Sequence, residues 1–307
     1  MFHFHPLAEA TRRELAHGGL DPDAVAALVR LAVAEDLAGG IDVTSAATVP
    51  ATQRSVGQFG ARRGGVLAGL PVAAAVIDAV CGDGASAFEY LRRDGDRVEP
   101  GAVVARVHAP TRLLLTAERS ALNLLCHLSG VATLTSSWAA ALDGTGARVR
   151  DTRKTTPGLR TLEKYAVRCG GGVNHRMALS DAALVKDNHV LAAGGVAEAF
   201  TRVRSLAADI PVEIEVDSLG GMREAVAAGA DVILLDNFTV DELRRAVALR
   251  AELGRSVVLE ASGGLTLESA RAVGETGVDF IAVGELTHSA RVLDIGLDLQ
   301  TVSGPSD

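Results

Sequence analysis

From residue 147 onward the chain alternates short runs rich in β-branched residues with helix-patterned segments, and this alternation restricts its fold more than any other feature. The runs are 147–151, 182–186, 212–216, 232–236, 257–260 and 280–283, and helices fit at 195–208, 218–228, 239–253 and 266–275. Repeated βα units imply a parallel sheet with right-handed crossovers, because only that hand packs each helix back on the sheet. An open doubly wound sheet and a βα-barrel both satisfy the pattern. The open sheet gathers its chemistry at one switch point, commonly behind a Gly-rich loop after the first strand. No G-x-G-x-x-G follows a strand here. Instead, nearly every run ends on a functional residue: Asp151, Lys186, Glu215 with Asp217, Asp236, Ser262 and Gly284. Chemistry at the C-terminal ends of successive strands is what a barrel offers. The barrel is the expected fold.

The preceding residues read differently. Asp21-Pro22 opens a helix with an apolar stripe at Val25, Leu28, Val29, Ala32 and Val33, ending at Gly39-Gly40. Residues 54–68 read as strand with Gly interruptions, 70–80 as a short apolar helix opened by Leu70-Pro71, and 87–91 and 103–108 as strands. Asp94-Gly95 and Pro100-Gly101 mark turns between those two strands. The first 110 residues thus form a small α+β domain. Residues 111–142 read as one long helix interrupted at Ser129-Gly130, on which Arg119, Asn123 and His127 form a polar stripe facing solvent.

Cationic and hydrogen-bonding side chains crowd into residues 151–189. All three Lys of the chain (Lys154, Lys164, Lys186) fall there among Arg153, Arg160, Asn174, His175, Arg176 and His189, although Lys and Arg total 30. An Arg-biased chain that keeps Lys in one window has a use for ammonium groups there. The net charge of −8 argues against nucleic acid or an anionic membrane as main partner, so the local basic cluster points to a small anionic ligand. The three cysteines (Cys81, Cys126, Cys169) have no metal spacing and fit reduced thiols in the cytoplasm. No signal peptide is expected from Met1-Phe2-His3-Phe4-His5-Pro6, and no apolar stretch is long enough to span a bilayer.

Two late turns, 261–266 with Ser262-Gly263-Gly264 and 283–285 with Gly284, resemble the phosphate-binding loops of barrels. Glu215 and Asp236 end neighbouring strands, and two carboxylates facing such a pocket suit Mg²⁺ and sugar hydroxyls. An ion pair with Arg or Lys is the plainer reading of the same two residues.

At this point whole motifs match. Asp151-Thr-Arg-Lys-Thr-Thr-Pro-Gly-Leu-Arg160, Asn174-His-Arg176, Lys186-Asp-Asn-His189, Glu215-Val-Asp217, Leu234-Leu-Asp-Asn-Phe238 and Glu260-Ala-Ser-Gly-Gly264 resemble the quinolinate phosphoribosyltransferases, also called nicotinate-nucleotide pyrophosphorylases. Glu35-Asp36-Leu37, Asp42-Val43-Thr44 and Leu286-Thr-His-Ser289 extend the resemblance to both ends. It implies an irregular βα-barrel with an N-terminal α/β sandwich domain. The expected domains are residues 1–116, with the tail 290–307 packing back on them, and residues 117–289 as linking helix and barrel.

The resemblance further implies transfer of phosphoribosyl from phosphoribosyl pyrophosphate to quinolinate with decarboxylation, by a cytoplasmic homodimer using Mg²⁺. Arg153, His175, Arg176 and Lys186 would hold the two carboxylates, and Arg119 would reach them from the partner subunit. Thr152 and Lys154 would serve the substrates beside them, Lys154 on pyrophosphate, aided by Arg62 or Arg63 of the partner subunit. Glu215 and Asp236 would hold ribose hydroxyls and the metal, with Lys154 forming the catalytic set. Ser262, Gly263, Gly284 and His288 would hold the 5-phosphate. Cys169 and Ala178 depart from the family's usual residues without touching chemistry. Three rivals stand beside this reading: a nicotinate-specific transferase, a Schiff-base enzyme using Lys154 or Lys186, and a catalytically silent binding paralogue.

Overall fold

The computed structural model describes residues 2–301, which divide into two compact units. The first comprises the chain up to Leu134, Pro157–Gly171 and the tail from Ala290; the second comprises Thr135–Thr156 and Gly172–Ser289.

In the first unit, β1 (Arg54–Ala61), β3 (Ala87–Tyr90), β5 (Val103–Pro110) and β12 (Ile295–Thr301) form an antiparallel sheet of order β12-β1-β5-β3. A separate small pair joins β2 (Gly65–Val66) to β4 (Arg97–Val98). The helix Leu70–Cys81 is buried along its entire length, as its apolar composition on every face requires. Its first turn is fixed by Asp94, whose carboxylate accepts the Gly69 and Leu70 amides at 2.7 and 3.0 Å and the Tyr165 hydroxyl at 2.7 Å. The turn read at Asp94-Gly95 is therefore also a helix cap. Pairing of β12 with β1 brings the tail back onto this unit, and residues 302–307 of the expected tail lie outside the described residues.

Three readings are corrected here. The helix Thr111–Ala141 runs without a break through Ser129-Gly130. A Cβ at Gly130 would collide with the Arg291 carbonyl and lie 2.9 Å from Val292 Cα, so this glycine marks the close approach of the returning tail. Ser129 Oγ meanwhile bonds both the amide and the carbonyl of Ala68 at 3.1 Å. Second, the division falls after Leu134 rather than 116, because Leu114, Ala117, Ala121, Leu125, Leu128 and Val131 are all buried in the first unit. Third, Pro157–Gly171 folds with the first unit through the helix Arg160–Cys169, whose Lys164 is fully buried. Lys164 thus belongs to the first unit, whereas Lys154 and Lys186 belong to the second.

The second unit holds six parallel strands: β6 (Arg148–Arg150), β7 (Ala183–Val185), β8 (Val212–Val216), β9 (Val232–Asp236), β10 (Val258–Ser262) and β11 (Phe280–Ala282). Their order is β6-β11-β10-β9-β8-β7, so the sheet curls without β6 pairing β7. Beside β6 the gap is filled by non-strand chain: Val173 N donates to Val149 O and Asp151 N to Val173 O, at 3.0 and 3.1 Å. This makes the barrel irregular. Expected helices appear as Val196–Leu206, Leu219–Ala228, Val240–Glu252 and Leu267–Gly274. Ser218, Thr239 and Thr266 cap the last three by accepting the amides of Gly221, Glu242 and Ser269. Among the described residues no helix is long and apolar enough to cross a membrane.

Candidate active site

Side chains alternate along a strand, so residues two apart share a face. On β8 this places Glu213 and Glu215 on one face, on β9 Leu234 and Asp236, on β10 Glu260 and Ser262. The outer members of these pairs, with Thr152, Arg153, Lys154, His175, Arg176 and Lys186, line one cavity of about 440 Å³ that also reaches Glu260. The structure thus brings together ten residues singled out above (Thr152, Arg153, Lys154, His175, Arg176, Lys186, Glu215, Asp236 and Ser262 directly, Gly284 through its contact with Lys154).

The cations are held in place from behind. Arg176 Nη1 donates to the Ala182 carbonyl at 2.7 Å, yet its Nε is buried with no partner, and so is Nε of Arg153. Burial, and then the charge of Arg153, lower the pKa of the Arg176 guanidinium below its usual value. Two like charges with unused buried donors are what an anion would complete. Thr152 Oγ1 accepts the Lys154 amide at 3.0 Å and Thr287 Oγ1 donates to the Lys154 carbonyl at 2.8 Å, fixing the backbone of an exposed side chain. Lys186 Nζ lies 3.2 Å from Glu215 Oε2.

The late loops pack through glycine. Gly263 has φ +89°, and a Cβ there would strike the Asn237 side chain and sit 2.9 Å from its amide nitrogen. Asn237 is itself left-handed (φ 56°), donates its amide to Ser262 O at 2.9 Å and its Nδ2 to Asp236 at 2.8 Å. The sequence reading missed Asn237, although Asn is the residue that tolerates this conformation. At Gly284 a Cβ would approach Lys154 Cδ and His288 Nε2 at 3.0 and 3.1 Å. His288 is exposed, with Nδ1 2.7 Å from Ser289 Oγ.

Beneath the mouth lies a buried layer that the sequence reading also left without roles. Glu213 and Glu260 are 4% and 0% exposed; Arg150 Nη1 meets Glu260 Oε2 at 2.5 Å, and His175 Nε2 meets Glu213 Oε2 at 2.8 Å. Burial first, and the neighbouring Glu213 second, push the Glu260 carboxyl up to about 7. His175 Nδ1 accepts the Arg176 amide at 2.7 Å, so both ring nitrogens are engaged within the protein. The signal available in the sequence was the Glu213-Ile214-Glu215 alternation, which at a strand period of two puts both carboxylates inside.

Arg119 lies in the first unit, exposed, lining a cavity of about 800 Å³ with Arg63, Asn123, Cys126 and Arg291. The stripe it heads divides: Asn123 is exposed, whereas His127 bonds the buried Glu163 at 2.8 Å. Arg62 is tied to Asp298 at 2.7 Å.

The sequence profile of the quinolinate phosphoribosyl transferase N-terminal domain matches residues 42–129, and that of the C-terminal domain matches residues 131–298. A nicotinate-nucleotide pyrophosphorylase (carboxylating) of Mycobacterium leprae is 51% identical over 277 residues, spanning 90% of this chain and 98% of that protein. The crystal structure of NadC from Streptococcus pyogenes superposes with a TM-score of 0.87 at 38% identity, covering 92% of this chain and 99% of its own. The nicotinate-nucleotide pyrophosphorylase structure from Francisella tularensis gives 0.84 at 37% identity, with coverage of 91% and 96%. With both domain profiles matched in order and these relatives aligned nearly end to end, the chain belongs to the quinolinate phosphoribosyl transferase family.

Proposed function

We propose that the protein transfers phosphoribosyl from phosphoribosyl pyrophosphate to the ring nitrogen of quinolinate and decarboxylates the adduct, giving nicotinate mononucleotide, pyrophosphate and CO₂. The reaction is that of the family and belongs to pyridine nucleotide biosynthesis. The observation that carries the assignment on this chain is the pair of buried guanidinium Nε atoms on Arg153 and Arg176, unpartnered at the barrel mouth.

Arg153, Arg176 and Lys186 clamp the two quinolinate carboxylates, and Arg119 of a second copy completes the clamp. Lys154 meets pyrophosphate, while Ser262, Gly263, Gly284 and His288 hold the 5-phosphate. Glu215 and Asp236 hold ribose hydroxyls and Mg²⁺; both are half-buried carboxylates on one cavity, a donor set that suits a hard cation. When bound, the metal supplies charge neutralisation on the pyrophosphate leaving group. Because Lys186 sits on Glu215, quinolinate binding to Lys186 releases Glu215 for ribose or metal.

The clamps align the pyridine nitrogen with ribose C1. As the C1–O bond breaks, its electron pair leaves with pyrophosphate beside Lys154, and the nitrogen lone pair forms the C1–N bond. The ring nitrogen is then cationic next to the C2 carboxylate. The C2–carboxylate electron pair drains into the ring as CO₂ departs, and a proton fills C2.

The free Cys81, Cys126 and Cys169 support a reducing, cytoplasmic location, and the role of Arg119 requires a homodimer. The test is to incubate the protein with Mg²⁺, phosphoribosyl pyrophosphate and either quinolinate or nicotinate. Stoichiometric CO₂ and nicotinate mononucleotide from quinolinate alone is the expected result. Turnover of nicotinate instead overturns the double clamp, and silence with both in folded dimer favours a binding paralogue.

A further inference from the structure

The proposed reaction makes no use of the cluster under the pocket floor: Glu213 on β8, Glu260 on β10, Arg150 on β6 and the His175 ring. An imidazole nitrogen that accepts a hydrogen bond carries no proton, so the other nitrogen carries it. Nδ1 of His175 accepts the Arg176 backbone amide at 2.7 Å, and Nε2 faces Glu213 Oε2 at 2.8 Å and Glu260 Oε1 at 3.8 Å. We infer that Glu213 is a positioning residue that holds His175 as the neutral Nε2–H tautomer, and that the ring, through the Arg176 amide, aims the Arg176 guanidinium at a substrate carboxylate. The inference rests on the proposed function only in assigning Arg176 to that carboxylate. It replaces the direct carboxylate contact that the family resemblance implies for His175.

The local geometry supplies the rest of the anchor. Asp151, fully buried, accepts the His175 amide at 2.8 Å and the Asn174 side chain at 2.6 Å. The segment 174–176 is therefore held on one side by its backbone and on the other by the ring. Arg176 cannot rotate as a unit without breaking one of these bonds, and its Nη1 adds a third tie at Ala182. Orientation of this kind matters because a misplacement of about 1 Å in a reacting assembly costs on the order of 100-fold in rate.

His175, Glu213 and Glu260 bring ligand atoms within 4.8 Å of one another, which raises a metal ion as the alternative occupant. Arg150 already places a cation on Glu260 at 2.5 Å, and a dication beside that guanidinium is opposed by like-charge repulsion. Oε1 of Glu213 and Oε1 of Glu260 are both buried without a hydrogen-bond partner. Burial, and then the charge of Glu213, raise the Glu260 pKa, which favours a proton on Glu260 over a bound dication.

The test combines ring ¹⁵N NMR with kinetics on the full-length enzyme. With imidazole nitrogens labelled and His175 assigned by its loss in His175→Asn, the expected spectrum at the assay pH is that of a ring protonated at Nε2 and bare at Nδ1. Adding quinolinate should leave it unchanged. An imidazolium pattern, a quinolinate-induced change at either nitrogen, or a change after dialysis against a chelator overturns the inference. In turnover, Glu213→Ala should raise KM for quinolinate about tenfold or more while KM for phosphoribosyl pyrophosphate moves less than about threefold. Glu213→Gln, whose Oε1 still accepts the Nε2–H, should recover most of that loss. Equal damage from both variants overturns the inference, as does wild-type behaviour of Glu213→Ala. Should Glu213→Ala not fold, Glu213→Gln and the ring spectrum decide. The spectrum of the free enzyme needs no substrate, so failure of wild-type quinolinate turnover would sink the proposed function and leave this result standing.

Discussion

Replacing Arg176 by Ala removes a cation whose position the fold has already prepared. Its Nη1 is tied to Ala182 O at 2.7 Å, and its Nε is desolvated with nothing to bond in the free protein. A substrate carboxylate therefore gains a charge-assisted bond without further ordering of the side chain, an interaction worth roughly 1.5–3 kcal/mol. Its removal also leaves that carboxylate unpaired in the pocket. Together these cost about 2–4 kcal/mol of transition-state binding, or roughly 30- to 900-fold in kcat/KM for quinolinate. Stability should change little, within about 1 kcal/mol, because losing the Ala182 bond is offset by relief of the burial and, after it, the Arg153 repulsion that depress the Arg176 pKa. The assay is initial-rate formation of nicotinate mononucleotide at saturating phosphoribosyl pyrophosphate, with urea unfolding as the control. Unchanged kcat/KM for quinolinate, or an equal loss for both substrates, refutes the reasoning.

Gly263→Ala puts a Cβ at φ +89° against Asn237, so we expect about 1–3 kcal/mol of destabilisation in urea and a KM for phosphoribosyl pyrophosphate raised about tenfold. Gly130→Ala drives a methyl into the Arg291 carbonyl; the expected cost is about 1–3 kcal/mol, with amide exchange accelerating across β12. Glu260, buried and pushed up to about 7, binds its proton more tightly folded than unfolded. Its contribution is therefore fully present below the unfolded pKa near 4.5 and is lost as pH rises through about 7, by up to about 3 kcal/mol. Unfolding free energies measured across that range should fall with pH in the wild type and lose this component in Glu260→Gln.

Much of the barrel was legible because the parallel strands carry their signal locally. Buried β-branched runs and capped amphipathic helices repeat in order, and the strands found are within two residues of those read from the chain. The mouth residues were legible for the same reason: each one ends a strand or opens the next helix, so spacing alone gathers Lys186, Glu215, Asp236 and Ser262 at one end. What misled was sequence proximity. The window 151–189 looks like one basic cluster, yet Arg160–Cys169 leaves it to pack elsewhere, and Lys164 ends fully buried. Ser129-Gly130 carries the composition of a helix break, but the reason for its glycine is the Arg291 backbone, more than 150 residues later in the chain.

By itself the chain determined which elements form, that its parallel strands line up their polar ends, and that its ligands are small anions. Those properties follow from periodicity, capping and charge, all of which act over a few residues. Tertiary structure alone decided that Glu213, Glu260, Arg150 and His175 meet in one buried cluster, and that the Nε atoms of Arg153 and Arg176 are left without partners. The physical reason is that desolvation and hydrogen-bond partners depend on what distant segments bring alongside, and no local pattern encodes that neighbourhood.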